Sequence, residues 1–158
     1  MTGIRPIRVA GGVALAALLA ALAATGALAT GTGSTASGRF AFASDYTAAK
    51  TKQVNIEISQ FTYKGELAGV GVDYGSMSIA ADGSFKGSGT EYCAACTIGG
   101  KVGAFTATYT YTGSGATYQG RLTFVRGYGK LAGIRGGGTF GGNVKTNANT
   151  YTYSYTLP

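Results

Sequence analysis

Between Tyr118 and Phe140 the chain reads YQGRLTFVRGYGKLAGIRGGGTF, and that stretch leaves few folds open. Tyr118, Leu122 and Phe124 fall on one face of a two-residue alternation that Gly120 completes, while Thr117, Gln119, Arg121 and Thr123 fall on the other. Such a pattern describes a half-buried strand. Gly127, Gly129, Gly133, Gly136, Gly137 and Gly138 follow, each able to take positive φ, with Leu131 and Ile134 spaced as a short apolar anchor. The spacing predicts one turn of helix tucked under the end of a barrel, then a second short strand.

The same alternation recurs on either side. Phe40 and Phe42 mark a first short strand. Val54, Ile56 and Ile58 alternate, and Phe61 and Tyr63 continue in the opposite phase, which predicts a β-bulge at Ser59-Gln60. Val70, Val72 and Tyr74 run in step until Gly75 breaks the series, and Met77 and Ile79 resume it. Ala81-Asp82-Gly83-Ser84 carries the Asp-Gly signature of a hairpin turn, after which Phe85, Gly87, Gly89 and Glu91 share a face. Phe105, Ala107, Tyr109 and Tyr111 alternate with four threonines, and Tyr151, Tyr153 and Tyr155 form a last strand that should close the sheet. About eight strands at hairpin spacing, with no helical period, point to an all-β fold, an antiparallel closed barrel. A two-sheet β-sandwich is the alternative.

The N-terminus has a different character. Arg5 and Arg8 precede an apolar run from Val9 to Ala24, and Ala27-Leu28-Ala29 has the form of a cleavage site, so residues 1–29 read as a signal peptide. The uncharged run is shorter than the roughly 20 residues of a spanning helix, so no stable membrane span is expected after cleavage. Residues 30–37 are small and polar and read as a disordered leader, leaving 38–158 as one domain. The expected location is extracellular or at the cell wall. The mature chain would carry a net charge of about +5, which favours weak contact with anionic wall polymers.

Glycine is abundant, at 28 residues, and histidine is absent. That absence excludes Ser-His-Asp and Cys-His catalysis and every histidine-bearing zinc site. Cys93 and Cys96 form a C-x-x-C that, in an exported chain, reads as a disulfide pinning a hairpin end. Two cysteines without histidine leave a zinc shell short of ligands, and no βαβ pattern supports a thioredoxin-like role. Gly127 to Ala132 matches G-x-G-x-x-A, but no long helix follows and no acidic residue lies about 20 residues on, so no dinucleotide cofactor is expected. Neither a cofactor nor a metal is indicated.

Residues 113–140, with the core LTFVRGYGKLAGIRGGGTF, resemble the strand, glycine loop and strand of the barrel superfamily that includes allene oxide cyclases and dirigent proteins. The likeness is nearest to a group of bacterial secreted domains of unknown function that share a GxGxLAGIRGxGTF-like loop and a tyrosine-rich terminal strand, here YTYSYTLP. It covers residues 101–158 well and 38–100 only in general outline. The resemblance implies an eight-stranded barrel with an apolar cavity, and an isomerase or cyclase as one activity. Fold likeness alone does not transfer that activity.

Glu91 shares its face with Phe85, and a carboxylate inside an apolar barrel could serve as a general acid or base. If the strand instead ends at Glu91-Tyr92, the side chain is exposed. Tyr109, Tyr111 and Tyr118 flank one turn and could line the same cavity as ligand-binding residues, or serve as core. Arg121, Arg126, Lys130 and Arg135 read as a solvated rim, and export argues against nucleic acid as a partner. The leading reading is a secreted, non-catalytic barrel that binds a small apolar or phenolic molecule. Its rivals are an allene-oxide-cyclase-like enzyme using Glu91 and a structural or adhesive surface module.

Overall fold

The structure, a computed structural model, describes residues 33–50 and 54–158, with side-chain surroundings for all of these except 44–49. The signal peptide read at 1–29 lies outside the described residues. Eight antiparallel strands close one barrel in chain order: β1 (Ser34–Lys50), β2 (Val54–Gly65), β3 (Leu67–Ile79), β4 (Ser84–Ile98), β5 (Lys101–Ser114), β6 (Thr117–Gly129), β7 (Arg135–Asn143) and β8 (Ala148–Thr156). Glycines and Asn147 with positive φ make the tight connections, Gly83 (79°), Gly115 (63°) and Asn147 (55°) among them.

β1 pairs with β8 from Ser34 opposite Tyr155 to Phe40 opposite Asn149, so the expected closure by the tyrosine-rich strand is present. The first strand therefore starts four residues before the domain boundary read from the sequence. Ser34 to Ser37 have little to bury of their own, but Ala36 lies opposite Tyr153 and is fully buried. Neighbouring rings supply the apolar surface that this segment lacks.

Two other expectations are corrected. β2 pairs with β3 without interruption from Val54 to Tyr63, so Ser59-Gln60 is not a bulge. The irregularity lies across the pairing, on β1 between Phe42 and Ser44. The inward series of β2 is Asn55, Glu57, Ser59, Phe61 and Tyr63, and Val54 and Ile58 are exposed. β3 is turned the same way, with Gly71, Asp73 and Gly75 inward and Val70, Val72 and Tyr74 outward. β-Branched residues suit a strand on either face, and here they mimic a core face that points to solvent.

The loop after β6 carries no helix. The N–H groups of Leu131, Ala132 and Ile134 donate to carbonyls three residues back, making consecutive tight turns that seat Leu131 and Ile134 in full burial. Gly129, Gly133 and Gly136 do hold positive φ. Gly127 and Gly138 do not; they are crowded instead by the carbonyls of Leu131 and Thr152, leaving no room for a Cβ.

Candidate functional site

The interior of the barrel divides into a packed end and an open end. Leu67, Ile98, Leu131 and Ile134 are fully buried around the β2–β3, β4–β5 and β6–β7 connections and plug that end. At the opposite end a cavity of about 590 Å³ opens among the β3–β4, β5–β6 and β7–β8 turns, which contribute Gly83, Gly115, Val144 and Asn147 to its mouth. Asn147 latches that mouth: its side chain accepts from the N–H of Phe42 (2.9 Å) and donates to the carbonyl of Phe42 (2.8 Å).

Glycines on the inward face create the cavity's shape. Tyr109 lies over Gly89 and Gly75, Tyr111 over Gly87, Phe140 over Gly120 and Phe61 over Gly71, each ring occupying the space a Cβ would need. A small residue on one strand thus lets the large residue of its neighbour lie flat against the sheet. The rings meet one another as a continuous wall. Tyr109 stacks on Tyr111 at 6.1 Å, Tyr111 meets Tyr118 edge-on at 6.1 Å, and Phe140 closes the circuit with Tyr118 and Tyr109 at 6.2 Å each. Such arrangements match the quadrupoles of the rings. The three tyrosines singled out in the sequence therefore do come together, and all three line the cavity.

Glu91 lines it too. β4 continues to Ile98, so the strand does not end at Glu91-Tyr92, and the side chain is only 4 % exposed. The Tyr63 hydroxyl sits 3.0 Å from both carboxylate oxygens and 3.3 Å from the Tyr153 hydroxyl. Burial pushes the carboxyl up to about 8; the hydrogen bond from Tyr63 opposes that rise, and the charge of Asp73 adds to it. Burial and the neighbouring Glu91 in turn push Tyr63 well above the ordinary phenol range. Both shifts favour the protonated forms of the pair.

The sequence reading missed Asp73 and Glu57. Asp73 pairs in register with Ser59 on β2 and Glu91 on β4, and its carboxylate accepts the N–H of Ser59 at 3.1 Å. Glu57 faces the same cavity one inward position nearer the mouth and accepts from the Asn55 amide at 3.4 Å. Burial first, then Asp73, pushes the Tyr109 hydroxyl upward. The available signal was the glycine spacing: Gly71 and Gly75 flank Asp73 on the face that must admit rings from its neighbours.

Cys93 and Cys96 are joined by a disulfide, buried, with Cα atoms 5.9 Å apart. It spans the bulge in β4 where Ala94-Ala95 stand opposite a single residue of β5, close to the Gly99-Gly100 turn, and neither cysteine lines the cavity, although Cys93 is the next inward residue after Glu91. So short a ring restrains the unfolded chain little. Reducing the disulfide is expected to lower the unfolding free energy by about 2 kcal/mol or less, read from urea transitions with and without reductant. A larger loss would mean that the bulge, and not only the cross-link, depends on it.

Arg121, Arg126, Lys130 and Arg135 are all exposed, with Arg126 over the Tyr128 ring at 5.1 Å. Gly127 to Ala132 run from the end of β6 into the tight turns, with no helix for a pyrophosphate to sit against. Among the described residues no helix is long and apolar enough to cross a membrane.

No family model matches the chain, and no curated protein matches it. The resemblance to allene oxide cyclases and dirigent proteins thus has no support beyond the barrel itself. Among solved structures, the chain is similar to a protein of unknown function from the DUF3224 family of Shewanella oneidensis MR-1, at a TM-score of 0.61 and 18% identity, over 80% of this chain and 98% of that one. That likeness is one of fold, a β-barrel shared with a protein whose own function is unknown.

Proposed function

We propose that this protein is a secreted binding barrel that holds a small, largely apolar molecule in its open end. The observation that carries the reading is the aromatic cavity of about 590 Å³, closed below by a packed plug and opening among the turns at the other end. Cavities of this size, mostly apolar with a few convergent polar groups, are the usual form of small-molecule sites. Export rests on the N-terminal pattern of Arg5, Arg8 and the Ala27-Leu28-Ala29 site, and the basic outer surface suits a cell-wall setting.

Native mass spectrometry of the protein purified after export from a bacterial host tests this. The expected result is cleavage near Ala29 together with a retained or readily loaded small molecule. Met77→Trp, which places an indole in the cavity, is expected to weaken loading ~tenfold or more with little change in melting temperature. An apo mass that no aromatic compound shifts would overturn the reading.

One observation favours a second reading, an isomerase or cyclase. Glu91 faces the cavity with its carboxyl raised to about 8, the range of a working general acid or base. Turnover of a bound compound that Glu91→Gln abolishes, with binding retained, would move the assignment to an enzyme.

A further inference from the structure

We propose that the outer face of the packed end docks on an anionic phospholipid surface, with Val102 and Tyr128 in the headgroup layer and Arg126, Lys130 and Arg135 against the lipid phosphates. The surface lies outside the cavity, so the proposal neither needs a bound molecule nor restates ligand binding.

The starting point is where the acids stand. The whole chain has six, and each has a place: Glu57, Asp73 and Glu91 line the cavity, Asp82 sits in the β3–β4 turn at its mouth, and Asp45 pairs in register with Ser59 in the mouth half of β1. Only Glu66 remains for the packed end. It lies at the β2–β3 connection and accepts from the N–H of Ser37 at 2.6 Å and its hydroxyl at 3.0 Å. Lys64, Lys101, Arg126, Lys130 and Arg135 stand at that same end, the last four on the β5–β6–β7 side, across the barrel from Glu66. This part of the outer face is therefore cationic, with no carboxylate in the chain left to neutralise it. Fields of this kind draw a protein toward an anionic surface.

Apolar side chains share the patch. β5 and β6 pair Ala104 with Tyr128 and Thr106 with Arg126, and the intervening Phe105 is buried inside, so Val102, Tyr128 and Arg126 project from the outer face. Val102 is 57 % exposed and Tyr128 43 % exposed, and Val125, at the irregularity in β6, is 54 % exposed. The Arg126 guanidinium lies over the Tyr128 ring at 5.1 Å, which keeps charge and ring together. Lys130 stands in the first tight turn after β6, and Arg135 opens β7.

The combination selects lipid among anionic partners. A soluble polyanion would be held by the cations and would leave Val102 and Tyr128 in water. At a bilayer surface both groups are used: lysine and arginine meet the phosphates, and tyrosine and valine enter the boundary between headgroups and acyl chains. A second copy of this chain would set like charge against like. Docked by this end, the barrel turns its cavity mouth away from the membrane, since the mouth is at the opposite end.

Co-sedimentation of residues 30–158, which contain every strand of the barrel, with vesicles of phosphatidylcholine alone and of phosphatidylcholine with roughly one-third phosphatidylglycerol tests this. The mixed vesicles are expected to bind ~tenfold or more tightly than the neutral ones, and the difference should shrink as salt rises from about 0.1 to about 0.5 M. Arg126→Gln combined with Lys130→Gln should lower affinity for the mixed vesicles ~twentyfold, about fivefold for each charge. Val102→Ser combined with Tyr128→Ser should lower it ~tenfold while leaving affinity for soluble polyphosphate within about twofold. These positions are exposed, so melting temperatures should stay near that of the parent, and Tyr128→Ser alone is a milder variant if the pair does not fold. Equal binding to neutral and mixed vesicles, or binding to neither, would overturn the proposal. So would an apolar variant that binds vesicles as the parent does, or that loses polyphosphate as much as vesicles, since the surface would then be a site for soluble polyanions. None of these results bears on the cavity.

Discussion

Glu91→Gln is expected to melt near the parent temperature at pH 4 and well above it at pH 9. The sign follows from burial. In the folded barrel the carboxyl titrates near 8, whereas a free glutamate has an ordinary value of 4.5. Between those values the folded protein keeps a proton that the unfolded chain has released. The stability associated with this proton is fully present below about 4.5 and is lost as pH rises through 8. Linkage sets the total at up to roughly 5 kcal/mol, equivalent to a melting-temperature difference on the order of 10 °C or more for a domain of this size. Glutamine is neutral throughout and can still accept the Tyr63 hydroxyl, so its stability should be nearly flat across the same interval. Among the described residues the groups that act on or are acted on by Glu91 are Tyr63, Tyr109, Tyr153 and Asp73, and burial raises all three tyrosines, which keeps them neutral over this range. Thermal melts of parent and variant at several pH values decide it. Parallel curves would show that the carboxyl is hydrated in solution.

Leu131→Ala should cost about 3 to 4 kcal/mol of unfolding free energy and leave ligand affinity within about twofold. The side chain is fully buried, and it fills space kept free by glycine at Gly103, while its carbonyl occupies the corresponding space at Gly127. Two strands have given up their own side chains to this one, so neither can move in to fill the void. The plug and the cavity lie at opposite ends of the barrel, which is why the loss should be global and not local. Urea unfolding combined with a titration at the cavity measures both quantities. A cost under about 1 kcal/mol would mean that the turns after β6 are loosely seated.

The barrel was legible because several strands state their inward face without ambiguity. β4, β5 and β6 place Phe85, Phe105 and Leu122 in register with their own neighbours, and these offered Glu91, Tyr109, Tyr111 and Tyr118 as inward positions, while leaving open whether the strand reached as far as Glu91 and whether the tyrosines lined a cavity or filled a core. β2 and β3 could not be read in the same way. Valine and isoleucine occupy their outer face, and the inner face carries glycine, serine and acids that look like a solvent side. Half of the site was hidden by this inversion. An inner face can be polar because the cavity, unlike a packed core, does not require every inward residue to be apolar. Loops gave the remaining errors, since a glycine placed for positive φ and one placed for a close carbonyl look identical in sequence.

The seam between β1 and β8 also governs how the barrel forms. Every other strand pair joins neighbours along the chain, but this one brings Ser34 to Tyr155, the two ends of the domain. Loop closure over that separation must precede the contacts that reward it, so the last step is slow compared with hairpin formation. Until β8 emerges, β1 and β7 remain open edges and the cavity has no floor at Tyr153. A chain with this topology therefore keeps its cavity incomplete until β8 has paired on both sides.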